Sequence, residues 1–257
     1  MKRITAGIIG GTNGMGRWLA GLLADAGCAV HVTGRKTALT AKQAAKICDV
    51  VVVSVPIAAT ASVIKDVAPL LNENQLFMDL TSLKEEPVAL MLAHSQASVV
   101  GCHPLFGPSV TESAGHNIVL CRGRGDAWYV WIKAIFEKAG YRLLERTPRE
   151  HDRMMSVVQV LNHANTIALG LAIAERGIPL AELNLFSTPI FRTKMAIVEK
   201  IFTENPELYA DIIAGNPDAD EILQTYERVI RQIRALVSPN DGEKLKEAIT
   251  AAAKKLF

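Results

Sequence analysis

The apolar positions change rhythm a little past the middle of the chain. In the first half they come as short runs of strand type: Ile8-Ile9, Ala29-Val30-His31-Val32-Thr33, the run 50–55 closed by Pro56, Leu76-Phe77-Met78-Asp79-Leu80, Ser98-Val99-Val100-Gly101, Ile118-Val119-Leu120 and Tyr141-Arg142-Leu143-Leu144. Helical spacing lies between them, most clearly over residues 17–26. A run as apolar as 50–55 has no face suited to water, so a parallel sheet covered by helices on both sides is expected. Beyond Thr147-Pro148 the strand pattern stops. Segments 151–176, 180–185, 192–203, 207–214, 219–237 and 241–256 all carry the helical period. The pattern thus predicts an α/β domain of Rossmann type over residues 1–150, followed by an all-α C-terminal domain over 151–257. Internal repeats, low-complexity tracts and long linkers are absent from the sequence.

The join between the first strand and the first helix sharpens this picture. It reads Ile8-Ile9-Gly10-Gly11-Thr12-Asn13-Gly14-Met15-Gly16. Glycines allow a tight turn and let backbone N–H groups approach a pyrophosphate at the positive end of a helix. Counted from Gly11, the middle glycine of the usual pattern is replaced by Asn13, so the context carries the assignment: an early turn, after a strand and opening a helix. Gly10 to Gly16 are therefore candidate cofactor contacts, as are Ser54 and Pro56 at the end of the third strand. The second strand ends in Thr33-Gly34-Arg35-Lys36, without the acid that would bind ribose hydroxyls. A carboxylate would repel a 2′-phosphate, whereas Arg35 and Lys36 would attract one, so NADP is expected ahead of NAD.

Composition adds mainly exclusions. Twenty-eight basic and 26 acidic side chains leave a net charge of +2, which calls for neither nucleic acid nor an anionic membrane as partner. Cys28, Cys48, Cys102 and Cys121 form no CxxC pair and no zinc-ligand spacing, so free thiols in a reducing, cytoplasmic setting and no metal site are expected. The apolar stretch after Met1-Lys2-Arg3 breaks at glycines too early for a signal peptide.

Candidate chemistry sits in Gly101-Cys102-His103-Pro104-Leu105-Phe106-Gly107-Pro108. The prolines stiffen a loop after a strand, Gly107 allows an unusual backbone angle, and a histidine held there suits a general base. Downstream, Asp152, Gln159 and His163 follow one another by seven and four residues. On a regular α-helix that places them within about 40° of one another, a polar stripe among Met154, Met155, Val158 and Leu161, which are expected in the core.

These segments resemble the prephenate and arogenate dehydrogenases of tyrosine biosynthesis. The resemblance spans most of the chain. It rests on the glycine turn, Asp79-Leu80-Thr81-Ser82-Leu83-Lys84, the His103-Pro104-Leu105-Phe106-Gly107-Pro108 segment, and His151-Asp152-Arg153-Met154-Met155 leading to Gln159 and His163. It continues through Pro189-Ile190-Phe191-Arg192, Lys200 and Asn205-Pro206-Glu207-Leu208-Tyr209. It implies that His103 is the catalytic base for the ring C4 hydroxyl and that Ser82 helps to position that hydroxyl and the histidine. It also implies that His163 and Tyr209 contact substrate or the product tyrosine. Lys200 falls where better-known members carry a carboxylate-clamping arginine, Arg192 is the alternative clamp, and Asp152 matches an acid that pairs with the clamp cation. A homodimer formed through the helical domains is expected, with tyrosine as a feedback ligand. Prephenate, oxidised and decarboxylated to 4-hydroxyphenylpyruvate, is the expected substrate; arogenate, another NADP-dependent reduction, and nucleotide binding without turnover remain as alternatives.

Overall fold

A computed structural model describes residues 3–110, 115–237 and 242–257. Met1, Lys2 and Asp241, the expected first residue of the last helix, lie outside the described residues. The chain divides into two compact units. One comprises Met1–Met155 with Asn205–Asn216, the other Ser156–Glu204 with Pro217–Phe257.

The first unit is built on a seven-stranded sheet of order β2-β1-β3-β4-β5-β6-β7. The strands are β1 (Thr5–Ile9), β2 (Ala29–Thr33), β3 (Val50–Val53), β4 (Leu76–Asp79), β5 (Ser98–Pro104), β6 (Asn117–Arg124) and β7 (Arg142–Glu145). The helices are α1 (Gly14–Asp25), α2 (Ala41–Ile47), α3 (Ile57–Val67), α4 (Glu85–His94), α5 (Asp126–Lys138) and α6 (Pro148–Met155). Strand side chains alternate between two dry layers. Ile8, Val50, Val52, Met78 and Val100 join Leu19 and Leu23 of α1 and Ile132 and Phe136 of α5. Ile9, Val51, Val53, Phe77 and Val99 join Ala44 of α2, Ile64 and Val67 of α3 and Met91 of α4. All four residues of β3 are fully buried, which is why its sequence carries no polar alternation. Edge strand β2 leaves His31 and Val32 exposed and reads as mixed.

The pattern missed one inversion. β1 to β5 are mutually parallel, but β6 runs antiparallel to β5, and β7 returns parallel to β6 after α5. Strand direction is set by how the chain returns, which apolar runs do not encode. The inversion lengthens β5, because Cys102, His103 and Pro104 pair with Leu120, Val119 and Ile118. His103 is therefore part of a strand, not of the loop after it. Gly107 is also not among the glycines with positive φ.

The second unit opens with a π-helical segment, Ser156–Leu161, followed by α7 (Asn162–Glu175), α8 (Leu180–Leu185), α9 (Pro189–Thr203), α11 (Ala219–Leu236) and α12 (Glu243–Leu256). α10 (Pro206–Gly215) belongs to the first unit, where it packs against α3. The π segment corrects the polar-stripe expectation. Each π turn carries an extra residue, so the 100° step that aligns Asp152, Gln159 and His163 does not hold through it. Asp152 lies in the first unit, Gln159 and His163 in the second. Met155 is buried, but Met154 and Val158, expected in the core, are more than half exposed, and Leu161 is half-buried.

Candidate active site

The site begins where the strand order reverses. β2 and β3 flank β1, and their carboxyl ends are tied together: Gly10 N donates to Thr33 O at 2.8 Å and Ser54 N to Ile9 O at 2.7 Å. In open α/β sheets this reversal is where a ligand crevice forms. Gly10, at φ +87°, lies so close to β3 that an added Cβ would come within 2.1 Å of Ser54 O. At Gly16 it would meet Gly10 O at 2.7 Å and Ser54 Oγ at 3.0 Å. Gly14, at φ +54°, faces open space. Helix α1 starts at this point with no side-chain cap from Asn13 and no acid in its first turn. Its N–H groups and positive dipole end are thus left for an anion, and the cradle fits a dinucleotide pyrophosphate. Past β2, Gly34 N donates to Thr37 Oγ1 at 2.9 Å and Thr37 N to Gly34 O at 3.2 Å, a tight turn that carries exposed Arg35 and Lys36. Pro56 stands exposed as the residue before α3.

His103 lies near the end of β5 and is only 4% exposed. Its Nδ1 is 2.8 Å from Nε2 of His151 on α6. Nδ1 of His151 is in turn 2.7 Å from Asp152 Oδ1. Asp152 reaches the start of α4, accepting from Lys84 N at 2.9 Å on Oδ1 and from Glu85 N at 2.8 Å on Oδ2. The carboxylate so caps a helix 67 residues away in sequence and sits at its positive end. Asn216 Nδ2 holds the Asp152 carbonyl at 2.9 Å. On the other side, Lys84 is fully buried and ion-paired with Asp79 Oδ2, which also accepts from Thr81 N at 3.0 Å and Thr81 Oγ1 at 2.8 Å. Burial, assisted by the nearby His151 ring and the Lys84 ammonium, holds the His103 imidazole well below the ordinary histidine range. A buried imidazole kept neutral at physiological pH can accept a proton.

The remaining sequence-derived residues are spread over both units. Ser82 is half-buried beside Thr81, yet the nitrogen of His103 that has a partner is held by His151. Tyr209 lies half-buried on α10 in the first unit. In the second unit, Gln159 and His163 are half-buried, and burial lowers the pKa of His163. Arg192 and Lys200 are exposed on α9, eight positions and therefore about 80° apart in phase. Arg192 donates to Ser187 O at 3.1 Å. His151 is the residue that sequence reasoning missed. It stands in the run His151-Asp152-Arg153-Met154-Met155, but nothing local reveals that its ring reaches a histidine 48 positions upstream.

Two family models cover most of the chain and meet just before α6. The family model described as "Prephenate dehydrogenase, nucleotide-binding domain" matches residues 22–144, and the one described as "Prephenate dehydrogenase, dimerization domain" matches residues 147–251. The chain belongs to the prephenate dehydrogenase family. It is 35% identical to the Methanocaldococcus jannaschii protein named "Probable arogenate/prephenate dehydrogenase", over 98% of this chain and 60% of that one. It is 34% identical to the T-protein of Haemophilus influenzae, over 92% of this chain and 63% of that one. The chain thus spans about three fifths of the length of these curated relatives. A crystal structure of Aquifex aeolicus prephenate dehydrogenase in complex with hydroxyphenyl propionate and NAD+ shares the fold, with a TM-score of 0.76 at 18% identity, covering 99% of this chain and 98% of that one. Synechocystis arogenate dehydrogenase does so with a TM-score of 0.74 at 17% identity, covering 98% of both chains. Within this prephenate dehydrogenase family member, the first model's match begins after the glycine turn, so the dinucleotide cradle rests on its geometry.

Proposed function

We propose that this chain catalyses the oxidative decarboxylation of prephenate to 4-hydroxyphenylpyruvate, with NADP as hydride acceptor. The observation that carries the reading is His103, buried and held at a sheet end by His151, in a chain whose glycine cradle suits a dinucleotide. Family membership and the likeness to an arogenate/prephenate dehydrogenase supply the substrate class. When bound, the nicotinamide supplies an acceptor for the hydrogen that leaves ring C4 with its electron pair. The C4 hydroxyl proton passes to His103 and a carbonyl forms. The bond from the ring to its carboxylate then breaks, CO2 leaves, and the electron pair completes the aromatic ring. The resulting phenolate takes back the proton. Aromatisation drives the step, and the protein's task is to orient two anions and hold one imidazole.

Gly10 to Gly16, Ser54 and Pro56 would hold the dinucleotide, and Arg35 and Lys36 a 2′-phosphate. Ser82, Gln159, His163 and Tyr209 are proposed to contact substrate, and Lys200 or Arg192 to clamp a substrate carboxylate. Asp152 would act behind His103, since both of its oxygens are occupied. A homodimer through the second unit and feedback by tyrosine belong to the same reading. The test is a two-by-two assay of NAD or NADP with prephenate or arogenate, followed by reduced-nicotinamide absorbance. Turnover of prephenate with NADP above the other three combinations is expected. Preference for arogenate would change the substrate, and no reduction with either substrate would end the assignment.

A further inference from the structure

We propose that His151 is the positioning residue that fixes the tautomer of His103, leaving His103 Nε2 as the lone-pair nitrogen that takes the substrate proton. The inference rests on His103 being the base in the function proposed above. It follows from counting donors and acceptors along one buried line.

The line starts at the amino end of α4. Lys84 N and Glu85 N can only donate, so Asp152 meets them as an acceptor on both oxygens. Asp152 Oδ1 also faces His151 Nδ1 at 2.7 Å, so that nitrogen must carry the hydrogen. A neutral imidazole with hydrogen on Nδ1 has a lone pair on Nε2. His151 Nε2 lies 2.8 Å from His103 Nδ1, and two lone pairs at that distance would repel. His103 Nδ1 must therefore donate, which leaves His103 Nε2 unprotonated. Each assignment forces the next, and the anchor is backbone, whose N–H groups cannot titrate.

The elements that hold the line are separate in sequence. β5 carries His103, α6 carries His151 and Asp152, and the start of α4 supplies the donors. Asn216, at the end of α10, fixes the Asp152 carbonyl at 2.9 Å and is itself buried. The charged groups around His103 are Asp152 behind His151, and Lys84, whose ammonium is paired with Asp79. When His103 takes a proton on Nε2, its Nδ1–H stays bonded to His151, and the carboxylate beyond stabilises the cation. A carboxylate that orients a catalytic imidazole through its Nδ1–H plays this part in hydrolytic triads. Here a second imidazole extends the line by one member.

The experiment is 15N NMR of the whole chain labelled at histidine, at mildly basic pH without substrate. His103 is expected to show a protonated Nδ1 and a pyridine-like Nε2, with the same tautomer at His151. His103 carrying its hydrogen on Nε2 would overturn the proposal. Because this readout needs no turnover, it decides the proposal even if prephenate proves not to be the substrate. In His151→Phe, which removes the acceptor, the His103 tautomers should mix and kcat fall on the order of 100-fold. Dinucleotide affinity should stay within about threefold, because His151 is absent from the cradle of phosphate donors. His151→Gln offers an amide oxygen to Nδ1–H and should regain about tenfold of the lost kcat. A folded His151→Phe variant with a single His103 tautomer and unchanged kcat would contradict the proposal. If that variant does not fold, the wild-type tautomer and the His151→Gln rate decide it.

Discussion

At the scale of the residue, two side chains carry the most testable chemistry. His103 must be neutral to act as base, and its pKa is depressed by burial with help from His151 and Lys84. Its active form therefore persists to lower pH than for a free imidazole. The kcat/KM profile should stay flat from neutral pH down through the ordinary histidine range, near 6.5, and fall only below it. An acid limb centred at or above that range would contradict the assignment. The same shift makes folding stability decline with acid. The unfolded chain takes up this proton first, so the contribution is fully present above the unfolded pKa and lost as pH falls beneath it. Arg35 carries the cofactor prediction. Arg35→Ala should raise KM for NADP about tenfold, the value of one charge-assisted hydrogen bond, and leave KM for NAD nearly unchanged. Equal effects on both cofactors would reduce Arg35 to a solvated loop cation. The glycine turn at the first strand's end and the placing of His103 near a strand end were legible in the sequence, because each is set by local grammar, while the roles given to His103 and Arg35 rest on the proposed function. His151 was not, since its meaning lies in a contact between β5 and α6.

At the scale of the element, the glycine turn separates folding from binding. Gly10→Ala sets a Cβ against the Ser54 carbonyl at positive φ and should cost about 1–3 kcal/mol or more, lowering Tm. Gly14→Ala meets open space and should cost only about 1 kcal/mol for its backbone angle, while weakening dinucleotide binding by filling the cradle. Thermal unfolding beside a dinucleotide titration distinguishes the two variants, and equal Tm losses would contradict this picture. The buried pair at the end of β4 gives a second test. Lys84→Met strands the Asp79 carboxylate and should destabilise by about 3–5 kcal/mol, much of which Asp79→Asn should restore in the double variant. The change from alternating strands and helices to helices alone was readable, because short apolar runs stop near Thr147 and the 3.6-residue period continues beyond it. The antiparallel β6 and the π segment were not. One depends on the route of the chain, the other on where an extra residue is accommodated in a helix.

At the scale of the whole molecule, the second unit leaves large apolar side chains exposed on several of its helices. Phe186 is 83% exposed, Ile190 74%, and Leu171 and Leu180 more than half. They lie in the part of the chain matched by the dimerization-domain model, and the proposed dimer would cover them. The helical stretch Pro148–Glu175 is long and apolar enough to cross a membrane by length and composition. It also carries the buried His151 and Asp152, and its exposed apolar side chains are assigned to the proposed dimer. Sedimentation should show a dimer, and Leu171→Glu should weaken it at least about tenfold by burying an unpaired charge. A monomer at micromolar concentration would remove this part of the account.

The measurement closest to the central claim is turnover of prephenate with NADP by the wild-type chain and by His103→Asn. The wild type should release one CO2 for each nicotinamide reduced. The variant should bind the dinucleotide normally and lose about 10²–10⁴ in kcat. Near-full turnover in His103→Asn, or no reduction by the wild type, would contradict the account.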